Sequence, residues 1–231
     1  MSKSLYIAEK PSVAQEFANA LKINGRRSDG YIESEQAIVT WCVGHLVTMS
    51  YPECYDPKYK RWSLETLPFL PKEFKYEVIP SVEKQFKIVS GLLNRPDVDT
   101  IYVCTDSGRE GEYIYRLVAQ MADVKDKAQK RVWIDSQTEE EILRGIREAK
   151  DETEYDNLSA SAYLRAKEDY LMGINFSRLL TLKYGQNISN YLRTGKNTVI
   201  SVGRVMTCVM GMVIRREREI RDFVKTPFYR V

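Results

Sequence analysis

The stretch Ile101-Tyr102-Val103-Cys104-Thr105-Asp106-Ser107-Gly108-Arg109-Glu110-Gly111-Glu112 points to an α/β architecture. Four apolar residues in a row read as a buried strand. A turn carrying Gly108 and Gly111 follows, and then Ile114, Leu117, Val118 and Met121 recur at helical spacing. A strand that passes through an acidic turn into a helix is half of a βαβ unit. The same pattern stands at the start of the chain. Leu5-Tyr6-Ile7-Ala8 reads as a strand that ends at Glu9-Lys10-Pro11-Ser12. Ser12 and Gln15 have capping-box spacing ahead of a helix carrying Val13, Phe17, Ala20 and Leu21. Residues 37–43 predict another strand, ending at Gly44-His45. Val82, Phe86, Val89, Leu92 and Leu93 predict a helix that Asn94-Arg95-Pro96 stops. Val132-Trp133-Ile134 predicts a further strand, and Thr138 with Glu141 a capping box opening a helix through Ile142, Leu143 and Ile146. Strands alternating with helices predict an α/β domain with a mainly parallel sheet up to about residue 150.

Beyond that point the pattern changes. Residues 157–184 and 202–222 predict two long helices with no strand between them, so an all-α segment follows the α/β part. Residues 50–81, with Pro52, Pro57, Pro68, Pro71 and Pro80, read as irregular or extended. The charged run from Lys150 to Asp156 reads as a linker.

Composition excludes several classes. The chain has 231 residues, 43% hydrophobic and 29% charged, which is ordinary for a globular protein with a real core. Cys42, Cys54, Cys104 and Cys208 are far apart, which argues against a zinc ribbon or a disulfide framework. One histidine, His45, excludes any site needing two. The longest apolar run, Val205 to Ile214, is about half a membrane span. Glu9 and Lys10 come too early for a signal peptide, so a cytoplasmic location without membrane association is expected. The net charge of +3 is unevenly spread: residues 178–231 carry 11 basic and 3 acidic side chains. That basic excess suits a polyanionic partner, and equally a solvated basic face.

The chemistry gathers at strand ends, where ligands bind in open parallel sheets. Glu9 and Lys10 follow the first strand; Asp106 and Glu110 follow the 101–104 strand. Three carboxylates around one crevice make a hard-oxygen site of the kind Mg²⁺ takes together with substrate phosphate. Each acid alone has a structural reading: Asp106 as a helix N-cap, Glu112 as a surface residue.

The combination resembles a family. Ala8-Glu9-Lys10-Pro11-Ser12, Gly44-His45-Leu46, Tyr55 to Trp62, Leu67 to Pro71 and Thr105 to Glu112 resemble, in order, the landmarks of the Toprim domain of type IA DNA topoisomerases, nearest the bacterial topoisomerase III branch. The run from Arg165 through Asp169, Gly173 and Asn175 to Arg178 resembles that family's R-x-x-x-D-W-L-x-G-x-N-x-[ST]-R helix. Ser201-Val202-Gly203-Arg204-Val205 resembles its S-x-G-R-V helix start. The resemblance implies a Toprim domain over 1–152, a helical segment of the single-stranded-DNA groove over 153–224, and the start of a further domain at 225–231. The 231 residues then correspond to the N-terminal part of an enzyme.

The implied activity is an ATP-independent isomerase reaction: transient cleavage of one DNA strand through a 5′-phosphotyrosine, strand passage and religation. Glu9 would be the general acid/base and Lys10 would stabilise charge at the scissile phosphate. Asp106 and Glu110, with Glu9, would hold Mg²⁺. Asp169, Arg178, Ser201 and Arg204 would position DNA, chiefly single-stranded. No nucleotide cofactor is implied, and a monomer is expected.

Three features depart from the family pattern. Gly108 stands where the acidic motif D-x-D-x-E-G has its second Asp; Glu112 or water would have to substitute. Met206-Thr207-Cys208 replaces the family's Q-[ST]-P. The catalytic tyrosine context is absent from this chain. Met49-Ser50-Tyr51-Pro52-Glu53 imitates it, but Glu53 occupies the arginine position, so Tyr51 is not assigned as the nucleophile. The competing readings are a non-catalytic DNA-binding module of the same fold, and another Toprim phosphotransfer enzyme.

Overall fold

A computed structural model describes residues 2–230. The chain divides into two compact units, one of residues 1–50 with 73–165, the other of residues 51–72 with 166–231.

The first unit is built on a seven-stranded sheet. Its elements are β1 (Lys3–Ala8), α1 (Pro11–Ala20), β2 (Arg26–Ser28), β3 (Tyr31–Glu33), β4 (Ala37–Trp41), β5 (Val47–Met49), β6 (Tyr76–Val78), α2 (Glu83–Leu93), β7 (Val98–Cys104), α3 (Arg109–Met121), β8 (Ala128–Arg131), α4 (Glu139–Arg147) and β9 (Lys150–Asp151). The strand order is β2-β3-β4-β1-β7-β8-β9. β4, β1, β7 and β8 run parallel; β2, β3 and β9 complete the edges in antiparallel pairs. β5 and β6 form a separate antiparallel pair.

β1 lies at the centre because Leu5-Tyr6-Ile7-Ala8 can be buried on both faces, as a parallel strand between helices must be. Tyr6 and Ala8 join Val13, Phe17, Val39, Cys104 and Ile142 in one core beneath α1 and α4. Alternation turns Leu5 and Ile7 to the other face. The register pairs Ala8 with both Trp41 and Cys104. Three neighbouring strands therefore end level, and the residues that follow them — Glu9, Gly44-His45 and Thr105-Asp106 — emerge at one edge of the sheet.

Several expectations are corrected by this arrangement. The strand expected at 132–134 is β8 at Ala128–Arg131. Only the Val132 N–H still reaches Val103 O; the Ile134 N–H donates to Ser107 Oγ instead, so the apolar run folds over the acidic turn. Neither capping box forms. α1 begins with Pro11 behind Lys10, without a side-chain cap, and Gln15 bonds Asn19. Glu141 pairs with Arg144 and accepts the Asp135 N–H. The expected linker is folded: Lys150–Asp151 pairs with β8, and the following 3₁₀ turn buries Glu152.

The second unit contains most of α5 (Asp156–Leu192), nine residues longer than expected, and α6 (Arg204–Arg221). Residues 51–72 form three short 3₁₀ turns anchored on buried Phe69. Asn175 of α5 clamps this residue from both sides: its Oδ1 accepts the Phe69 N–H, and its Nδ2 donates to Phe69 O. Tyr55, Tyr59 and Tyr170 meet the Phe69 ring edge-on. Among the described residues no helix is long and apolar enough to cross a membrane.

The buried Glu152 yields a pH-dependent prediction. Its carboxyl pKa is raised from 4.5 to about 8, first by burial and then by the Glu112 carboxylate, although Arg116 lies 3.2 Å away and opposes the shift. The folded state therefore holds a proton that the unfolded chain releases, and stability falls as pH rises from the unfolded value to the folded one. Glu152→Gln is expected to remove that decline, so that the variant gains Tm relative to the parent between pH 5 and pH 8. Parallel melting profiles across that range would contradict the assignment.

Candidate active site at the strand ends

Glu9 is the first residue past β1 and is only 7% exposed. Its Oε2 accepts the Asp106 N–H at 3.3 Å. Burial raises its pKa most, and the Asp106 carboxylate raises it further. The Asp106 N–H, Lys10 and His45 offset part of that rise. A glutamate whose pKa is raised by burial beside a second acid has the properties of a general acid/base. Lys10 is exposed at the N-cap of α1.

Asp106 lies on the turn between β7 and α3. The N-cap of α3 is Gly108, with no side-chain cap, so Asp106 does not serve as a capping residue. The turn depends on Gly111: a Cβ there would sit 2.1 Å from Asp106 O and 2.7 Å from Asp106 N. Gly108 differs, because a Cβ there would meet nothing within 4 Å, and its φ of 176° suits any residue.

Glu110, in the first turn of α3, points its carboxylate to His45, with Nε2 at 2.6 Å from Oε1. The structure thus brings Glu9 and Asp106 together and places Glu110 on the histidine. Among the described residues no group of three His, Cys, Asp or Glu side chains is arranged to hold a metal ion. Two adjacent carboxylates still suit a magnesium ion that keeps waters and takes phosphate oxygens.

Glu112 is neither a surface residue nor a replacement for the missing second Asp. It is fully buried, with Oε1 2.8 Å from Arg116 Nε and Oε2 3.2 Å from Arg131 Nε. Sequence reasoning had no signal for this, since an acid in the first turn of a helix is usually solvated. It also missed His45 as the partner of Glu110; its strand-end position was the available hint.

In the second unit, Arg178 is buried, donates from Nη1 to Tyr59 O at 3.1 Å and stacks its guanidinium 5.3 Å from the Trp62 ring centre. Burial lowers its pKa, with Glu53 and Tyr170 opposing. Arg204 is engaged by Asp169 through two hydrogen bonds, Nε at 3.0 Å and Nη2 at 2.7 Å. Asp169, Arg178 and Ser201 line one cavity of about 440 Å³ together with Tyr51, Lys60 and Trp62. Cationic and aromatic groups around one depression suit a stacked base with its phosphate.

Comparison with known proteins relates the chain to two families. Residues 4–136 match the Toprim domain family, and residues 153–231 match a family described as DNA topoisomerase. The chain is 41% identical over 229 residues to DNA topoisomerase 3 of Bacillus subtilis (strain 168), covering 99% of this chain and 30% of that protein. It is 43% identical over 229 residues to DNA topoisomerase 3 of Bacillus cereus (strain ATCC 10987 / NRS 248), with the same coverage. For DNA topoisomerase 3 of Staphylococcus epidermidis (strain ATCC 12228 / FDA PCI 1200) the identity is 43% over 227 residues, 98% of this chain and 30% of that one. The chain spans about 30% of the length of these relatives.

Proposed function

Because the chain belongs to the Toprim family and continues into a segment similar to DNA topoisomerase, we propose that it supplies the acidic centre and part of the DNA-positioning groove of a type IA DNA topoisomerase. The observation that carries this reading is Glu9, buried and raised in pKa, against Asp106 at neighbouring strand ends.

In the proposed reaction a tyrosine hydroxyl gives its proton to solvent and attacks a DNA phosphodiester, the P–O bond to the 3′-oxygen breaks, and religation reverses each step. Glu9 gives its proton to the leaving 3′-oxygen and recovers it on religation. Lys10, the next residue, offsets charge on the phosphate. Glu9 and Asp106 would hold Mg²⁺, with Glu110 joining when it leaves His45; the metal supplies further neutralisation of phosphate charge. Asp169, Arg178, Ser201 and Arg204 are assigned to single-stranded DNA. Arg204 keeps the N–H groups not used by Asp169 for a phosphate, and Arg178 holds the Trp62 face of the cavity. We take residues 1–152 as the Toprim part, 153–224 as groove helices and 225–231 as the start of the next domain. The nucleophile is not assigned to any tyrosine of this chain.

Two measurements on the 231-residue chain test this reading. It is expected to bind a single-stranded oligonucleotide in preference to a duplex, with affinity falling as salt rises. It is expected to leave supercoiled plasmid unrelaxed in Mg²⁺. Lack of single-strand preference would overturn the groove assignment; robust relaxation would return Tyr51 as the nucleophile.

A further inference from the structure

We propose that Arg131 is the positioning residue of the acidic turn, fixing the backbone of Asp106 beside Glu9, with buried Glu112 as its counter-ion. Arg131 is the last residue of β8, and its side chain is fully buried. Its Nη1 donates to Val103 O at 3.0 Å, Thr105 O at 2.8 Å and Thr105 Oγ1 at 3.2 Å. Its Nη2 donates to Asp106 O at 2.6 Å. The guanidinium carbon lies 5.5 Å from the Trp133 ring centre.

These acceptors lie where β7 runs out. The strand ends at Cys104, so Thr105 O and Asp106 O have left the regular ladder, while Thr105 itself stays buried. Buried carbonyls need donors, and one planar fork with several N–H groups can serve three peptides that lysine's single ammonium cannot span. Burying that charge is costly without a partner. Glu112 supplies it and is itself shared with Arg116, whose other contacts are Glu152 and Asp156.

The consequence falls on Asp106. Its N–H is bonded to Glu9, its C=O is bonded to Arg131, and Gly111 packs against the same carbonyl with no room for a Cβ. The backbone is fixed on each of these sides while the carboxylate projects. A ligand held this way needs no reorganisation when a cation or phosphate arrives. Arg116 touches the same buried ion cluster, but its hydrogen bonds and ion pairs among the described residues go to Glu112, Glu152 and Asp156 and not to the turn, which separates positioning from simple stabilisation.

Amide hydrogen exchange read residue by residue, with a Mg²⁺ titration of the same samples, tests this on the 231-residue chain. The titration arm rests on the metal reading of Asp106; the exchange arm does not. In Arg131→Lys, exchange at Asp106 and Ser107 is expected to rise roughly tenfold while the Leu5–Ile7 amides of β1 hold their rates. The Mg²⁺ Kd is expected to rise by about the same factor. Thr105→Val, nearly isosteric, is expected to give roughly a threefold rise at the same amides. Arg116→Gln is expected to lower Tm without selective opening of the turn. Unchanged exchange at the turn in folded Arg131→Lys overturns the inference, as does equal opening in Arg116→Gln. If Arg131→Lys does not fold, Thr105→Val decides, and parental exchange there overturns it. If the parent chain binds no Mg²⁺, the metal reading fails while the exchange results still decide the role of Arg131.

Discussion

Gly111→Ala is expected to displace the acidic turn and abolish Mg²⁺ binding in a chain that keeps its sheet. The added methyl would meet Asp106 O at 2.1 Å, Asp106 N at 2.7 Å and Asp106 C at 2.9 Å, all backbone atoms that no side-chain rotation can clear. Either the first turn of α3 unwinds or the Asp106 peptide moves off Arg131 and Glu9, whose hydrogen bonds to it are then lost. Overpacking of this kind costs about 1–3 kcal/mol and is concentrated where the atoms collide. The same change at Gly108, where a Cβ meets nothing within 4 Å, is sterically free and serves as the matched control. Thermal melts and Mg²⁺ titrations of the two variants check the contrast; equal metal affinity in both would show that the approach of α3 to Asp106 does not matter.

The parts of the site that could be read from sequence were those set by local pattern. Leu5 to Glu9 and Ile101 to Asp106 are each an apolar run ending in an acid, and their meeting follows from adjacent parallel strands. The strand expected at 132–134 was misplaced because β8, Ala128-Gln-Lys-Arg131, is mostly polar: it lies near the sheet edge between β7 and β9. The apolar residues after it cover the turn instead. Glu112 and Arg131 could not be read at all. Their burial depends on two distant segments supplying opposite charges to one point, and neither has a local signature. The bond between Asn175 and Phe69 is of the same kind, joining residues 106 apart in the chain. The length of α5 was underestimated because little apolar periodicity marks its last turns.

Asp106→Asn tests whether the Glu9–Asp106 pair forms a cation-dependent phosphoryl-transfer centre. The substitution preserves volume and the backbone bonds to Glu9 and Arg131 while removing the Asp106 negative charge. It also removes the second cause of the raised Glu9 pKa, so Glu9 loses both its partner ligand and part of its tendency to hold a proton. Mg²⁺ at a hundred times its Kd stabilises a folded protein by about 2.7 kcal/mol. For a chain of this size that is a rise of roughly 5–10 °C in Tm. The most direct measurement is therefore Tm against Mg²⁺ concentration for the 231-residue chain and its Asp106→Asn variant. A saturating rise in the parent and none in the variant is the predicted result; superimposable titration curves would contradict it.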